Sequence, residues 1–297
     1  MDALPELSGR SLGIAVLIAL WLVLALAERT VAAGYRLEPQ GPRWLRHVGL
    51  ALLGSLAVAV LLPGGAIAAA LWAHDRSLGL LPQLGLSWPL AFVLTCVVYD
   101  LAIYWQHRAF HRWPWLWRLH AVHHCDTSID LSTGVRFHPL EILLSMSWKM
   151  AIAVALGALP EAVLVYELIL TGMALFNHAD YRLPDRLERA LRWLVVTPVM
   201  HRIHHSDKRI ETDSNYGNAL SLWDRLFGSY TDAPSAGLRI GLERWREAKD
   251  QRLGRMLSLP FRRDWQNASE ASSRSIDAVR CAHHILRNCA RGDQRLG

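Results

Sequence analysis

Charged residues are scarce in this sequence. Asp, Glu, Lys and Arg make up 20% of the 297 residues, hydrophobic residues make up 52%, and the mean hydropathy is +0.15. This composition is too apolar for an ordinary soluble enzyme. The thirteen Trp are many, and Trp favours membrane–water boundaries.

Cysteine is also rare, and its four positions (Cys96, Cys125, Cys281 and Cys289) have no spacing that suggests a disulfide framework. The segment from Cys281 through His283 and His284 to Cys289 contains two Cys and two His. Its spacing is not that of a standard zinc finger, so we favour a surface tail over a zinc site there.

Several catalytic motifs are missing. The chain has no Gly-x-Ser-x-Gly elbow, no phosphate-binding Gly loop and no His-Glu-x-x-His segment, so nothing points to a serine hydrolase, a nucleotide-binding enzyme or a zincin.

The net charge of +6 arises in residues 236–297, which carry 13 Lys/Arg and 7 Asp/Glu. Attraction to anionic lipid explains this basic tail better than nucleic acid, so we expect no nucleic-acid partner.

Long apolar runs dominate the first 176 residues and predict an all-α integral membrane fold with four to five transmembrane helices. A cleaved signal peptide is disfavoured for the first run, because Asp2 and Glu6 stand where basic residues would be needed. Pro63 is expected to break the second run, and Lys149 in the fourth is expected to snorkel or to lie at the interface. The runs are Ser11–Ala27, Val48–Ala73, Ser87–Trp105, Leu140–Leu159 and Ala162–Phe176.

Basic residues in the loops predict the orientation of these helices. Four Arg lie between the first two runs, and only Arg76 lies between the second and third. The positive-inside rule therefore puts the first loop in the cytoplasm. The third run then ends in the cytoplasm just before His107, and the later returns bring the remaining histidines to the same cytoplasmic face.

Eight of the fourteen histidines fall in three short blocks, each with a spacing that aligns imidazoles on one helix face. The blocks are His107 and His111; His120, His123 and His124; and His201, His204 and His205. His138 and His178 stand alone at the ends of predicted spans, where bonding to a backbone carbonyl competes with metal ligation. Ten imidazoles are more than one four-coordinate zinc ion can bind, and they suit two metal ions. The ligand type alone does not show whether those ions are iron, copper or zinc.

The segments around these blocks are expected to form a helical cap on the cytoplasmic side. The third span should continue as a helix through His111, turn at Pro114, and resume to present the second block, with Trp113, Trp115 and Trp117 anchoring the turn in the headgroup region. Asp100 is either hydrogen-bonded to a ligand imidazole or paired with an Arg. Residues 183–195 and 238–257 are expected to be amphipathic surface helices, and the chain beyond Asp264 is expected to be weakly ordered.

The three blocks, with their order and spacing, resemble the histidine boxes of the sterol desaturase / fatty acid hydroxylase superfamily. The segments Arg136-Phe-His-Pro-x-Glu141 and Asn215-Tyr-Gly217-x2-Leu220-x2-Trp223-Asp224-x2-Phe227-Gly228 extend the resemblance over residues 90–232. It implies a membrane di-iron enzyme that uses O2 and two electrons to hydroxylate or desaturate a lipid, with the box histidines as catalytic metal ligands and zinc as a substitute metal. The roles of His138 and His178 are implied less directly, and Tyr216, Trp223 and Asp224 are implied to be structural or pocket-lining.

Three regions are therefore expected: N-terminal transmembrane helices in residues 1–86, a catalytic region in 87–235, and a basic tail in 236–297. A lipid substrate would come from the bilayer. No cytochrome-like or ferredoxin-like segment is recognisable, so an external protein of one of those kinds is expected to donate electrons. A different class of function, a histidine-rich metal transporter, sensor or zinc-stabilised scaffold, remains the alternative.

Overall fold

The fold is helical, with no β-strand among residues 3–235, 237–263 and 265, which are the residues that this computed structural model describes. The chain forms two compact units, residues 1–260 and 261–297, and the description below concerns the first. The α-helices are α1 (Ala3–Thr30), α2 (Gln40–Leu61), α3 (Gly65–His74), α4 (Leu80–Leu84), α5 (Trp88–Arg112), α6 (Pro114–His124), α7 (Pro139–Leu156), α8 (Pro160–His178), α9 (Asp185–Leu191), α10 (Pro198–His204), α11 (Arg209–Thr212), α12 (Leu222–Leu226) and α13 (Leu253–Ser258), with short 3-10 helices at Leu131–Val135 and Leu259–Phe261.

Within the described part of the chain, five segments are long and apolar enough to cross a membrane: Ser11–Thr30, Gln40–His74, Trp88–Arg112, Pro139–Leu156 and Pro160–His178. The predicted all-α membrane fold is therefore confirmed, and the chain is a multi-pass membrane protein. Apolar side chains remain exposed along α1 and α2, including Leu22 at 64% and Leu52 at 65% exposure. In a bilayer these faces contact lipid.

The predicted break at Pro63 separates α2 from α3, and the backbone there has positive φ at Gly64 and Gly65. α3 packs against α7 and α8 through small residues such as Ala70 and Ala153, both fully buried. A β-carbon on Gly79 would lie 2.1 Å from the backbone nitrogen of Gly157, so the turns before α4 and after α7 touch only because both residues are glycine.

Lys149 is ion-paired inside the helical bundle. Its Nζ atom is 2.7 Å from Oε2 of Glu167 on α8, and the Lys side chain is only 9% exposed. The sequence does not show that α7 and α8 bring these opposite charges together, so this ion pair was not among the roles expected for Lys149. An intramembrane charge is tolerated when such a partner is present.

A cap formed by residues 113–138 and 179–235 covers one end of the long helices. Arg43, on α2, joins the cap through a fully buried ion-pair cluster, with Nη1 2.6 Å from Oδ1 of Asp126 and Nε 3.2 Å from Oδ2 of Asp130. Burial acts to raise the pKa of Asp126, but the Arg43 guanidinium holds that pKa well below its usual range. The cap is therefore locked to the N-terminal helices by charge as well as by packing.

Glu28 makes a second link between the N-terminal helices and the cap. Its Oε1 atom accepts the backbone N–H groups of Leu131 (2.7 Å) and Asp180 (2.8 Å), and the residue is fully buried. These two acceptor contacts hold the chain directly after α8 and the 3-10 helix in place. The segments that carry His138 and His178 are thus attached to α1.

Both predicted amphipathic helices are shorter than expected. Within residues 183–195 only α9 is helical, and the chain then turns so that the Val195 N–H reaches the Leu191 carbonyl. Within residues 238–257 only α13 is helical, because Gly241 and Trp245 have positive φ and interrupt a regular helix. The expectation of weak order beyond Asp264, and the candidate segment Cys281–Cys289, lie outside the described residues apart from Trp265.

Candidate metal centre

The structure gathers nine of the ten predicted histidines into two adjacent groups. Within each group, one ring nitrogen of every member lies within 4.8 Å of the others. Group 1 consists of His107, His111, His120, His124 and His204; group 2 consists of His123, His178, His201 and His205. The groups touch, since the rings of His124 and His205 stack with centroids 4.4 Å apart.

Helix periodicity explains how group 1 forms. α5 continues past the apolar run as predicted, which places His107 and His111 one turn apart on one face. α6 does the same for His120 and His124, and α10 adds His204 from 80 residues later in the chain. Prolines start both short helices: Pro114 in the first turn of α6 and Pro198 in the first turn of α10.

Group 2 takes its members from three helices. His123 lies on α6 beside His120 and His124, and His178 ends α8. His201 lies on α10 and His205 is its C-cap residue. The block His-x-x-His-His therefore divides between two groups in both of its occurrences, which its sequence pattern alone does not reveal.

Most of these imidazoles use their Nδ1 atom for an outer contact. The Nδ1 atoms of His107 and His204 are each 2.7 Å from a backbone carbonyl, of Tyr216 and Ser214 respectively. In group 2, Nδ1 of His178 is 2.6 Å from the carbonyl oxygen of Ala174, which lies on the same helix. A carbonyl can only accept, so Nδ1 carries the proton and Nε2 keeps its lone pair directed into the group.

Glu141 provides the carboxylate version of this contact. Its Oε1 atom is 2.6 Å from Nδ1 of His120, and Glu141 is 4% exposed. The sequence pattern Arg-Phe-His-Pro-x-Glu contained this residue, but nothing in the pattern indicated which histidine it faces. Asp213 approaches Nδ1 of His111 at 3.4 Å without hydrogen-bond geometry.

Several buried ring nitrogens have no hydrogen-bond partner within the described part of the chain. Both nitrogens of His111 and both of His124 are in this position, as are the Nδ1 atoms of His201 and His205. A buried polar atom without a partner costs about 1–3 kcal/mol. A metal ion that takes one lone pair each from His111 and His124 would explain the unpartnered nitrogens of these two side chains, so the donor set fits bound metal.

The spacing between facing nitrogens supports the same interpretation. The Nε2 atom of His107 is 3.0 Å from that of His120 and 3.1 Å from that of His204. In group 2, Nε2 of His178 lies 3.0–3.1 Å from the Nε2 atoms of His123, His201 and His205. Two nitrogens bound at about 2.1 Å to one ion at a right angle are about 3.0 Å apart, whereas tetrahedral angles separate them by about 3.4 Å.

Burial keeps the cap histidines neutral. It lowers the pKa of His120 to about 3, and burial with the neighbouring imidazoles lowers the pKa of His124, His204 and His205 well below the ordinary value. Only neutral imidazoles can bind a metal ion. The site is therefore ready to bind metal throughout the neutral pH range.

His138 lies outside both groups. Its Nδ1 atom accepts the backbone N–H of Leu140 at the start of α7, and its Nε2 atom is 3.2 Å from the Leu257 carbonyl. Its position in the chain, just before α7, matches the prediction, but its ring faces the helix start and α13. His178, the other isolated histidine, is the one that reaches the groups.

Asp100 matches neither of the two roles expected for it. Its Oδ1 atom accepts from the Tyr166 hydroxyl at 2.9 Å, and its Oδ2 atom accepts from Nε1 of Trp223 at 2.8 Å and from the Leu220 N–H at 3.1 Å. The partners are neither imidazoles nor Arg. The expectation failed because helix periodicity gives the face of α5 but not which element covers that face.

Asp224 holds the segment that contacts His107. Its carboxylate accepts the backbone N–H groups of Tyr216 (2.7 Å) and Gly217 (2.8 Å) and the Ser229 hydroxyl (2.7 Å). These contacts fix the loop whose Tyr216 carbonyl meets His107. Burial raises the pKa of Asp224 to about 6 against the effect of these donors.

The tryptophans around Pro114 differ in position. Trp113 and Trp115 are 55% and 58% exposed, as expected of interface anchors. Trp117 instead lies against group 1, with its ring centroid 4.9 Å from that of His111 and 5.4 Å from that of His124. Residue 117 lies on the face of α6 that turns toward the histidines, a contact that its predicted anchoring role did not include.

Comparison with known proteins gives consistent matches over this region. Residues 92–229 match the fatty acid hydroxylase family. The chain is 31% identical over 150 residues to the ornithine lipid hydroxylase OlsE of Rhizobium tropici, 31% over 131 residues to the alkylglycerol monooxygenase of Homo sapiens, and 30% over 169 residues to the cholesterol 25-hydroxylase of Rattus norvegicus.

These similarities are partial on both sides. They cover 50%, 44% and 55% of this chain and 44%, 28% and 54% of the respective relatives. The chain thus spans about half the length of these relatives, or less. No solved structure is significantly similar to the chain.

Proposed function

We propose that the chain is a membrane-bound di-iron oxygenase of the sterol desaturase / fatty acid hydroxylase superfamily that hydroxylates a lipid, because residues 92–229 match the fatty acid hydroxylase family. One observation carries the proposal: two contacting groups of neutral imidazoles lie at the ends of apolar helices. The first group has five candidate ligands and the second has four, so all nine histidines act as metal ligands in this proposal. His138 is not proposed as a ligand.

Iron is the proposed metal. Five candidate ligands in group 1 exceed the four of a closed tetrahedral zinc site, and the nitrogen spacing near 3.0 Å corresponds to angles smaller than tetrahedral. Bound iron would supply the activation of O2, a reaction that side chains by themselves do not perform. The balanced reaction is RH + O2 + 2 electrons + 2 protons giving ROH + H2O.

The chain's own residues contribute position, tautomer and exclusion of water. The carbonyls of Tyr216, Ser214 and Ala174 and the carboxylate of Glu141 hold Nδ1–H groups so that Nε2 atoms face inward. The apolar lipid-facing helices let a substrate approach from the bilayer rather than from water. Hydroxylation is preferred to desaturation because the relatives described above are hydroxylases and a monooxygenase.

The basic loop between α1 and α2 supports a proposed orientation of the chain in the membrane. We propose that the cap and both histidine groups lie on the cytoplasmic face, where an external cytochrome-like or ferredoxin-like protein supplies the electrons. The division into residues 1–86, 87–235 and 236–297 is proposed with one addition: Glu28 and Arg43 make the first region structurally part of the site.

Lipid profiling under 18O2 tests the function. Cells expressing the full chain are compared with cells expressing His120→Ala, and extracted lipids are analysed by mass spectrometry. One lipid species is expected to gain a single 18O atom with the parent chain and none with the variant. A chain that binds metal but adds no oxygen to any lipid would favour the alternative of a transporter, sensor or scaffold.

A further inference from the structure

Trp117 is the tryptophan that contacts group 1, and it is partly exposed at the cap surface. The inner side of its ring contacts the imidazoles of His111 and His124. On another side, the guanidinium carbon of Arg209 is 4.6 Å from the ring centroid. The ring therefore extends from the candidate ligands to a surface side chain.

Arg209 ties this surface to the end of α5. Its Nη2 atom donates to the His111 carbonyl at 2.8 Å, and its Nε atom donates to Asp213 at 2.7 Å. The Arg209 side chain is 50% exposed, and the next residue, Ile210, is 80% exposed. Arg209 and Ile210 thus place a cation and an exposed apolar side chain at the surface next to group 1.

Other aromatic rings around group 1 do not reach the surface in this way. Tyr216 contacts His107, His111 and His204 but is only 6% exposed, and Phe110 is 4% exposed. Phe137 stacks on His123 of group 2 at 4.4 Å and is partly exposed, but no cation lies over its ring among the contacts of the described residues. Trp117 thus combines contact with two candidate ligands, partial exposure and a surface cation.

From this geometry we propose that Trp117 is the electron-entry residue of group 1. The inference rests on the proposed function, because it requires a metal centre that is reduced during turnover. A one-electron carrier protein at the surface formed by Arg209 and Ile210 gives up one electron and is oxidised, and group 1 gains that electron. Two such transfers supply the two electrons of each hydroxylation. The Trp117 ring provides electronic coupling through its contacts with His111 and His124 and is not itself consumed.

Flash photoreduction tests this route without a natural donor. In the full iron-loaded chain, Cys96, Cys281 and Cys289 are replaced, and a ruthenium photosensitiser is attached through Ile210→Cys. Ascorbate reduces the excited label, which then passes one electron to the oxidised centre and returns to its starting state. The readout is the rate at which the ferric absorbance decays and the mixed-valence EPR signal appears.

The matched control carries the same label at Arg182→Cys. Arg182 has a 74% exposed side chain and lies four residues after His178 of group 2. With the label at residue 210, Trp117→Leu is expected to slow reduction at least tenfold and Trp117→Phe to slow it less. With the label at residue 182, neither substitution is expected to change the rate by more than twofold.

Two results would overturn the proposal. One is an equal reduction rate for the parent chain and Trp117→Leu with the label at residue 210. The other is that Trp117→Leu slows reduction equally with the label at residue 210 and with the label at residue 182. Iron content is measured before each flash experiment. If Trp117→Leu loses iron, the reduction rates of the parent chain and of Trp117→Phe are compared instead, since Phe keeps an aromatic ring against the imidazoles. Equal rates for those two would then overturn the proposal. If the parent chain itself holds no reducible iron, the proposed function fails, and that result is distinct from a failure of the electron route.

Discussion

Oε1 of Glu141 lies 2.6 Å from Nδ1 of His120, so a carboxylate on the first turn of α7 fixes the tautomer of a group 1 imidazole on α6. Replacing it with Gln keeps an acceptor oxygen but removes the carboxyl group that can ionise when the imidazole binds a metal ion. We expect Glu141→Gln to weaken iron binding about 10–100-fold, the usual effect of losing such an outer contact. Titration of the metal-free protein with iron in the presence of a competing chelator measures the iron affinity of the variant and of the parent chain.

Glu161→Gln is the control for this experiment. Glu161 also lies in the first turn of a membrane helix, but it pairs with Nε1 of Trp88 at the opposite end of α8 from His178. The iron affinity of the Glu161→Gln variant should equal that of the parent chain. Equal affinity for Glu141→Gln and the parent would show that Glu141 does not tune the site.

The two isolated histidines should behave differently. His178 lies within 3.1 Å of three other group 2 nitrogens, whereas His138 binds backbone atoms. We expect His178→Ala to reduce bound iron from two ions per chain to about one, and His138→Ala to retain two. Elemental analysis of the purified variants provides the measurement, and iron loss in His138→Ala with an intact fold would contradict the assignment.

Asp224 should matter for stability and for group 1 through the loop that it holds. Asp224→Ala leaves the Tyr216 and Gly217 N–H groups without their acceptor, at about 1–3 kcal/mol each. Thermal unfolding in detergent should show a clearly lower Tm and weaker iron binding at group 1. Asp232→Ala, at a 72% exposed carboxylate, should change Tm little. Equal Tm values for the two variants would rule out this role for Asp224.

The buried Arg43 cluster predicts a large stability difference between two neighbouring arginines. Arg43→Met leaves Asp126 and Asp130 without their shared cation and should lower the free energy of unfolding by about 3–5 kcal/mol. Arg46 pairs with Glu38 at a partly exposed site, so Arg46→Met should cost less than about 1 kcal/mol. Unfolding of both variants in mixed micelles of increasing SDS fraction compares them, and similar midpoints would contradict the prediction.

Local sequence rules predicted much of the fold because its helices depend on nearby residues. Apolar runs set the spans, Pro63 broke the second one, and periodicity carried α5 through His111. The expected helix over residues 238–257 is interrupted where Trp245 has positive φ, and Gln251 links the carbonyl of Trp245 to that of Cys125, 120 residues earlier in the chain. Periodicity cannot detect such a constraint.

The sequence by itself determined that this is a helical membrane protein with histidines presented on helix faces, since hydropathy and the i, i+4 spacing are properties of the local chain. Only the tertiary structure decided how those histidines divide into groups of five and four, that His178 joins them and His138 does not, and which atoms hold each Nδ1. Those relations depend on α8 and α10 meeting α5 and α6 across as many as 97 residues, as His107 and His204 do. No local periodicity encodes that distance, because packing of the whole bundle sets it.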